Sequence, residues 1–197
     1  MVKEIEILDT TLRDGEQTSG VSFAVREKLS IARLLLDELH VNRIEIASAR
    51  VSEGEFEAVR RISAWAAARG YLDRVEVLGF VDNGISLKWI LDAGCKVINL
   101  LSKGSLRHCE LQLKKTPQQH IDDIKRAIEQ ATKAGVAVNL YLEDWSNGMR
   151  QSPDYVYHMI DALRHEPIRR FLIPHTLGIM NPDTCYAACR DMVERYP

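Results

Sequence analysis

The chain has 197 residues, 46% of them hydrophobic and 27% charged, with a net charge of −2 and only 11 glycines and 6 prolines. That composition excludes disordered, collagen-like and low-complexity classes, and it leaves no cationic excess to neutralise a phosphate backbone, so no nucleic-acid partner is expected. No apolar run approaches the roughly 18 residues of a membrane span, and the opening MVKEIEILDT lacks a signal peptide's apolar stretch, so a cytoplasmic protein without a membrane partner is expected.

Short apolar runs alternate with longer amphipathic segments along the whole chain, the pattern of a parallel α/β protein. The alternation over residues 4–8 predicts a first strand. A polar turn over residues 9–20 follows, then a helix with Val25, Leu29, Ala32, Leu36 and Leu39 on one stripe. A second strand over 43–47 leads to a helix that Ser52 caps, with Glu55 completing a capping box and Gly70 stopping it. Strands three and four, 74–79 and 96–101, flank a short helix that ends before Gly94, placed as a left-handed cap. The next helix opens with Thr116 as N-cap, Pro117 in the first position and Gln119 closing a box. Its buried stripe is Ile121, Ile124, Ile128 and Ala131, ahead of Gly135. Strands five and six, 136–142 and 169–173, precede helices that open at Ser152-Pro153 and Asn181-Pro182.

This makes six β/α units with no linker between them, read as part of one domain over residues 1–197. A doubly wound sheet is the alternative, but no Gly-x-Gly-x-x-Gly follows the first strand. Polar residues gather instead after the strands, where a (β/α)₈ TIM barrel carries its active site; such a barrel needs about 250 residues, so the first six units of a truncated barrel are expected. Cys95, Cys109, Cys185 and Cys189 form no Cys-x-x-Cys pair and read as reduced thiols. His40, His120 and His165, on helices or in their end loops, are expected to face solvent.

The stretch Leu8-Asp9-Thr10-Thr11-Leu12-Arg13-Asp14-Gly15-Glu16-Gln17 places three acids, an arginine and a glutamine at a strand end. An Arg-Asp pair alone is usually a surface ion pair of little worth. The whole string, however, resembles the signature of the metal-dependent barrel enzymes that make or break carbon–carbon bonds beside a carbonyl: 2-isopropylmalate synthase, homocitrate synthase, citramalate synthase and hydroxymethylglutaryl-CoA lyase. Four later segments resemble the same family in the same order. They are Ile44-Glu45-Ile46-Ala47, Ser105-Leu106-Arg107-His108 with Leu113-Lys114-Lys115-Thr116, Leu142-Glu143-Asp144, and Pro174-His175-Thr176-Leu177-Gly178.

The resemblance implies an acyltransferase of amino-acid biosynthesis that condenses acetyl-CoA with a 2-oxo acid at a divalent metal, Mg²⁺, Mn²⁺ or Zn²⁺. By the same match Asp14 is the metal ligand, and Arg13 faces developing enolate or alkoxide charge, where a planar, permanently charged fork suits better than lysine. Gln17 orients the substrate. Glu45 holds Arg13, lines the pocket, or forms a buried structural pair. His108 contacts substrate or coenzyme, or is a loop-surface histidine. Glu143 assists removal of the acetyl proton, for which a carboxylate of pKa about 4 needs a raised pKa or a basic partner; a capping or ion-pair role is its alternative. Thr176 bonds the substrate carboxylate or simply shapes a turn. His175 stands where the family usually has Asp, and the family's His-x-His metal pair is not met before Pro197. Homo-oligomerisation is expected, and two other readings stay open: a lyase running the reverse cleavage, and an inactive partial barrel that only binds.

Overall fold

The computed structural model describes residues 5–196. Runs rich in Ile, Val and Leu form β1 (Leu8–Asp9), β2 (Arg43–Ser48), β3 (Val75–Phe80), β4 (Val97–Lys103), β5 (Ala137–Glu143) and β6 (Ile168–Leu172). These strands hydrogen-bond in chain order, β1-β2-β3-β4-β5-β6. β1 runs parallel to β2, with Leu8 opposite Arg43, and β2 parallel to β3, with Ile44 opposite Val75. Parallel neighbours require crossovers. Helices supply them: α1 (Val25–Arg33), α2 (Glu53–Arg69), α3 (Ile85–Asp92), α4 (Pro117–Lys133), α5 (Trp145–Gln151) and α6 (Pro153–Leu163), with α7 (Pro182–Arg195) after β6. The fold is therefore the expected α/β class, six parallel units of a TIM-type barrel. Among the described residues no helix is long and apolar enough to cross a membrane, and all four cysteines are free thiols.

Two compact units divide the chain, Met1–Leu100 with Ala127–Asn139, and Leu101–Arg126 with Leu140–Pro197. The first is built on Ala32, Leu36, Ile44, Ile46, Ile62, Val75, Val77 and Ile90, each without exposed surface. Ser52 caps α2 as expected, its Oγ accepting the Glu55 N–H at 3.1 Å, and Gly70 ends it at φ 73°. Three expectations need correction here. The first strand is shorter than its alternation suggested: Glu4 lies outside the described residues, Ile5 and Ile7 are exposed, and pairing begins where the Ile7 carbonyl accepts the Arg43 N–H. The Glu55 carboxylate does not return to the Ser52 amide to close a box. It takes the ammonium of Lys28 at 2.5 Å, a charge-assisted partner stronger than a neutral amide. Finally, α1 continues into one π-helical turn, Leu34–Glu38, closed by the Leu39 N–H on the Leu34 carbonyl. The extra residue in that turn shifts the apolar phase, so Leu35 and Leu36 are buried and Leu39 is exposed.

In the second unit Thr116 and Gln119 form the expected reciprocal cap of α4: the Gln119 N–H reaches Thr116 Oγ1 at 3.2 Å and the Thr116 N–H reaches Gln119 Oε1 at 2.9 Å. Asn181 and Thr184 do the same for α7. The expected stripe of α4 is buried throughout, Ile121 and Ile124 in this unit and Ile128 and Ala131 in the first. The short α5, with Trp145 wholly buried, has no counterpart in the sequence reading. His40 and His165 are exposed as expected, but His120 is buried. Its place one turn into α4 points it inward, where Nε2 accepts the Lys103 N–H at 3.1 Å. Burial, with Lys115 and Lys103 nearby and only Asp123 opposing them, pushes its pKa down to about 4.

Candidate active site

In the first unit the chain leaves β1 through a tight turn in which the N–H groups of Arg13, Asp14 and Gly15 all point at the Thr10 carbonyl. A 3₁₀ turn, Gly15–Gln17, follows. Glu16 pins this loop from both oxygens, one accepting the Phe23 N–H at 2.8 Å and the other pairing with Lys28 Nζ at 2.5 Å. Lys28 is buried, and its three ammonium hydrogens have three acceptors: Glu16, Glu55 and the Leu12 carbonyl. The loop is thus tied to α1 and to the start of α2.

Arg13 projects from this pinned loop and donates through Nε to Glu45 Oε2 at 2.6 Å, while Nη1 reaches Asp14 Oδ1 at 3.0 Å. Glu45, in the middle of β2, has no exposed surface. Burial raises its pKa, against the pull of the Arg13 charge and a hydrogen bond from Asn99. Glu45 therefore grips Arg13 from a wholly buried position. Gln17 is exposed and borders a cleft of about 340 Å³ whose lining also includes Arg13, Leu12, Ser48 and Val51.

The second unit holds the other expected residues. Glu143, at the end of β5, forms an ion pair with Lys103 at the end of β4. The Lys103 peptide is held on both sides, its N–H by His120 and its carbonyl by the Tyr155 hydroxyl at 3.0 Å. Asp144 follows in a left-handed conformation, φ 64°, which aspartate adopts more readily than most residues other than glycine, with its carboxylate buried. Oδ2 accepts from Ser105 Oγ at 2.8 Å and lies 3.6 Å from His108 Nε2, close enough to attract a protonated imidazole; Oδ1 accepts from Asn147 at 2.8 Å. Thr176 is exposed, and its Oγ1 accepts the Asp144 N–H at 3.0 Å, which leaves the hydroxyl hydrogen to donate. His175 is turned to its own loop, Nε2 accepting the Met180 N–H at 2.7 Å.

The donor set does not fit a divalent cation. The Asp14 side chain is 62% exposed and gives one oxygen to Arg13, and among the described residues no three His, Cys, Asp or Glu side chains gather as ligands. One carboxylate seldom holds such an ion.

Lys28, Lys103, Asn99 and Asp144 were missed as contributors to these clusters. Each left a trace: Lys28 interrupts the apolar phase of α1, Asn99 stands inside the apolar run Val97-Ile98-Asn99-Leu100-Leu101, and Lys103 and Asp144 lie at strand ends.

The HMGL-like family model matches residues 4–197. A protein of Ignicoccus hospitalis named "Probable 2-isopropylmalate synthase" is 38% identical over 180 residues, covering 91% of this chain and 43% of that protein. The 2-isopropylmalate synthase of Sulfurisphaera tokodaii is 33% identical over 192 residues, 97% of this chain and 47% of its own length. The chain therefore spans less than half of these relatives. The crystal structure of the Bacillus subtilis HMG-CoA lyase superposes with a TM-score of 0.71 at 22% identity, over 99% of this chain and 66% of that one.

Proposed function

The chain belongs to the HMGL-like family, and from that premise we propose that it carries the N-terminal units of an acyltransferase joining acetyl-CoA to a 2-oxo acid. The observation that carries the reading is the Arg13–Glu45 grip: a wholly buried carboxylate holding a guanidinium beside a cleft, in a chain whose relatives are named synthases. In the proposed reaction Glu143 takes a proton from the acetyl methyl group, and the enolate carbon bonds to the ketone carbon of the oxo acid. The resulting alkoxide is protonated, and water cleaves the thioester to free CoA. Arg13, fixed by Glu45, offsets the developing oxyanion charge. Lys103, ion-paired with Glu143, holds that carboxylate in place at the end of β5. By the family match, substrate binding is assigned to Gln17 in the first unit and, separately, to His108 and Thr176 in the second. The family's divalent cation enters only through the carboxylate of Asp14; the described residues do not complete its site, and no step here runs through it.

The test measures CoA chromatographically, because the half-buried Cys185 and Cys189 would add to a thiol-dye signal. CoA release that depends on a 2-oxo acid supports the synthase. Cleavage of a hydroxyacyl-CoA indicates the lyase direction, and neither activity indicates a binding module. Self-association belongs to the same proposal, supported by the exposed Leu177, Tyr186 and Val193; a monomer in sedimentation velocity would remove it.

A further inference from the structure

Among the buried polar side chains of the first unit, three on different strands hydrogen-bond to one another in a row. Glu45 on β2, Asn99 on β4 and Asn139 on β5 are all without exposed surface. Asn99 Nδ2 donates to Glu45 Oε1 at 2.7 Å, and Asn139 Nδ2 donates to Asn99 Oδ1 at 2.8 Å. The other Glu45 oxygen, Oε2, receives Arg13 Nε at 2.6 Å.

The chemistry of the groups gives this chain a direction. An ionised carboxylate only accepts, so Asn99 must turn its NH₂ toward Glu45. Its carbonyl oxygen then faces Asn139, which must turn its own NH₂ toward Asn99. Each amide has one orientation that satisfies its neighbour, and Glu45 is held from the side opposite Arg13. An aliphatic side chain at position 99 would remove the hydrogen bond to Glu45 Oε1, and with it that restraint on the carboxylate's terminal torsion.

We propose that Asn99 and Asn139 are positioning residues: a buried amide relay that fixes the plane of the Glu45 carboxylate and, through it, the guanidinium of Arg13. The relay acts in series, so Asn99 matters more than Asn139. Catalytic use of the aligned guanidinium rests on the synthase reading above; the alignment itself does not.

Hydrogen exchange at the Arg13 Nε–H, followed by ¹⁵N NMR on the 197-residue protein, separates the two. Asn99→Leu is expected to speed that exchange about tenfold and Asn139→Leu about threefold, the size of effect for losing one charged and one neutral hydrogen bond in a buried network. Asn99→Asp keeps the shape, sets a second acceptor against Glu45, and is expected to speed exchange as much as Asn99→Leu; it decides the matter if the leucine variant does not fold. Ile62→Val, a buried change in α2 away from the relay, controls for lost stability. Exchange in the Asn99 variants that rises no more than in Ile62→Val at equal unfolding free energy overturns the proposal. If CoA release is present in the parent, Asn99→Asp is expected to lower kcat about tenfold with KM little changed. If it is absent, the synthase reading fails while the exchange result still stands or falls alone.

Discussion

Arg13 combines a charge that never titrates with two bonds that fix its plane, one to Glu45 and one to Asp14. Lysine at this position keeps the charge and loses the fork. Arg13→Lys is expected to cut turnover about a hundredfold with the circular-dichroism spectrum unchanged, and turnover within threefold of the parent would remove Arg13 from the mechanism. Lys103→Met leaves the Glu143 carboxylate without the ion pair that positions it, and turnover is expected to drop about tenfold with folding intact, read in the same CoA assay. His120 makes a different kind of prediction. Its pKa of about 4 in the folded state lies below the ordinary 6.5, so the unfolded chain takes the proton first. Stability is therefore lost as pH falls from about 6.5 toward 4, by roughly 3 kcal/mol at the limit. Urea unfolding at pH 7 and pH 4.5 measures the loss, and His120→Gln, whose amide oxygen can still accept the Lys103 N–H, is expected to flatten it.

Among the elements, the turn from β4 and the short α5 approach so closely that only glycine serves. A Cβ on Gly148 would lie 2.0 Å from the Gly104 carbonyl oxygen, and one on Gly104 would lie 2.5 Å from that of Leu142. The obstacles are backbone atoms, so neither side yields by a rotamer change. Gly148→Ala is expected to cost about 3 kcal/mol in urea unfolding, the upper range for overpacking. What the sequence revealed at this scale was local: the caps at Ser52, Thr116 and Asn181 and the stripe of α4 involve residues within a few turns of each other. What stayed hidden depended on distant partners. Glu55 reads as a box residue until Lys28, 27 positions away, takes its carboxylate. Glu143 stood out by its motif, yet its partner Lys103 is 40 positions away and belongs to no recognised string. The alternation that predicted a longer β1 records which residues tolerate a sheet; it does not record whether a neighbour is there to cover Ile5 and Ile7.

For the molecule as a whole, two buried groups tilt the acid side of the stability curve in opposite directions. Glu45 has a raised pKa, so burying it ionised weakens the fold at neutral pH, and that loss is recovered as pH falls through its folded pKa. His120 removes stability over the same descent. Glu45→Gln is accordingly expected to steepen the acid loss while His120→Gln relieves it, a contrast that a pH series of urea midpoints displays directly. The strand order has a consequence of another sort. Because β1 to β6 pair in the sequence in which they occur, a ribosome delivers every strand after the one it must pair with. Among these six strands each new one, from β2 to β6, finds its preceding neighbour already made and covers that neighbour's open edge. Synthesis and assembly can advance together from the amino end, so nascent chains halted after β4 should already resist protease over β2 and β3.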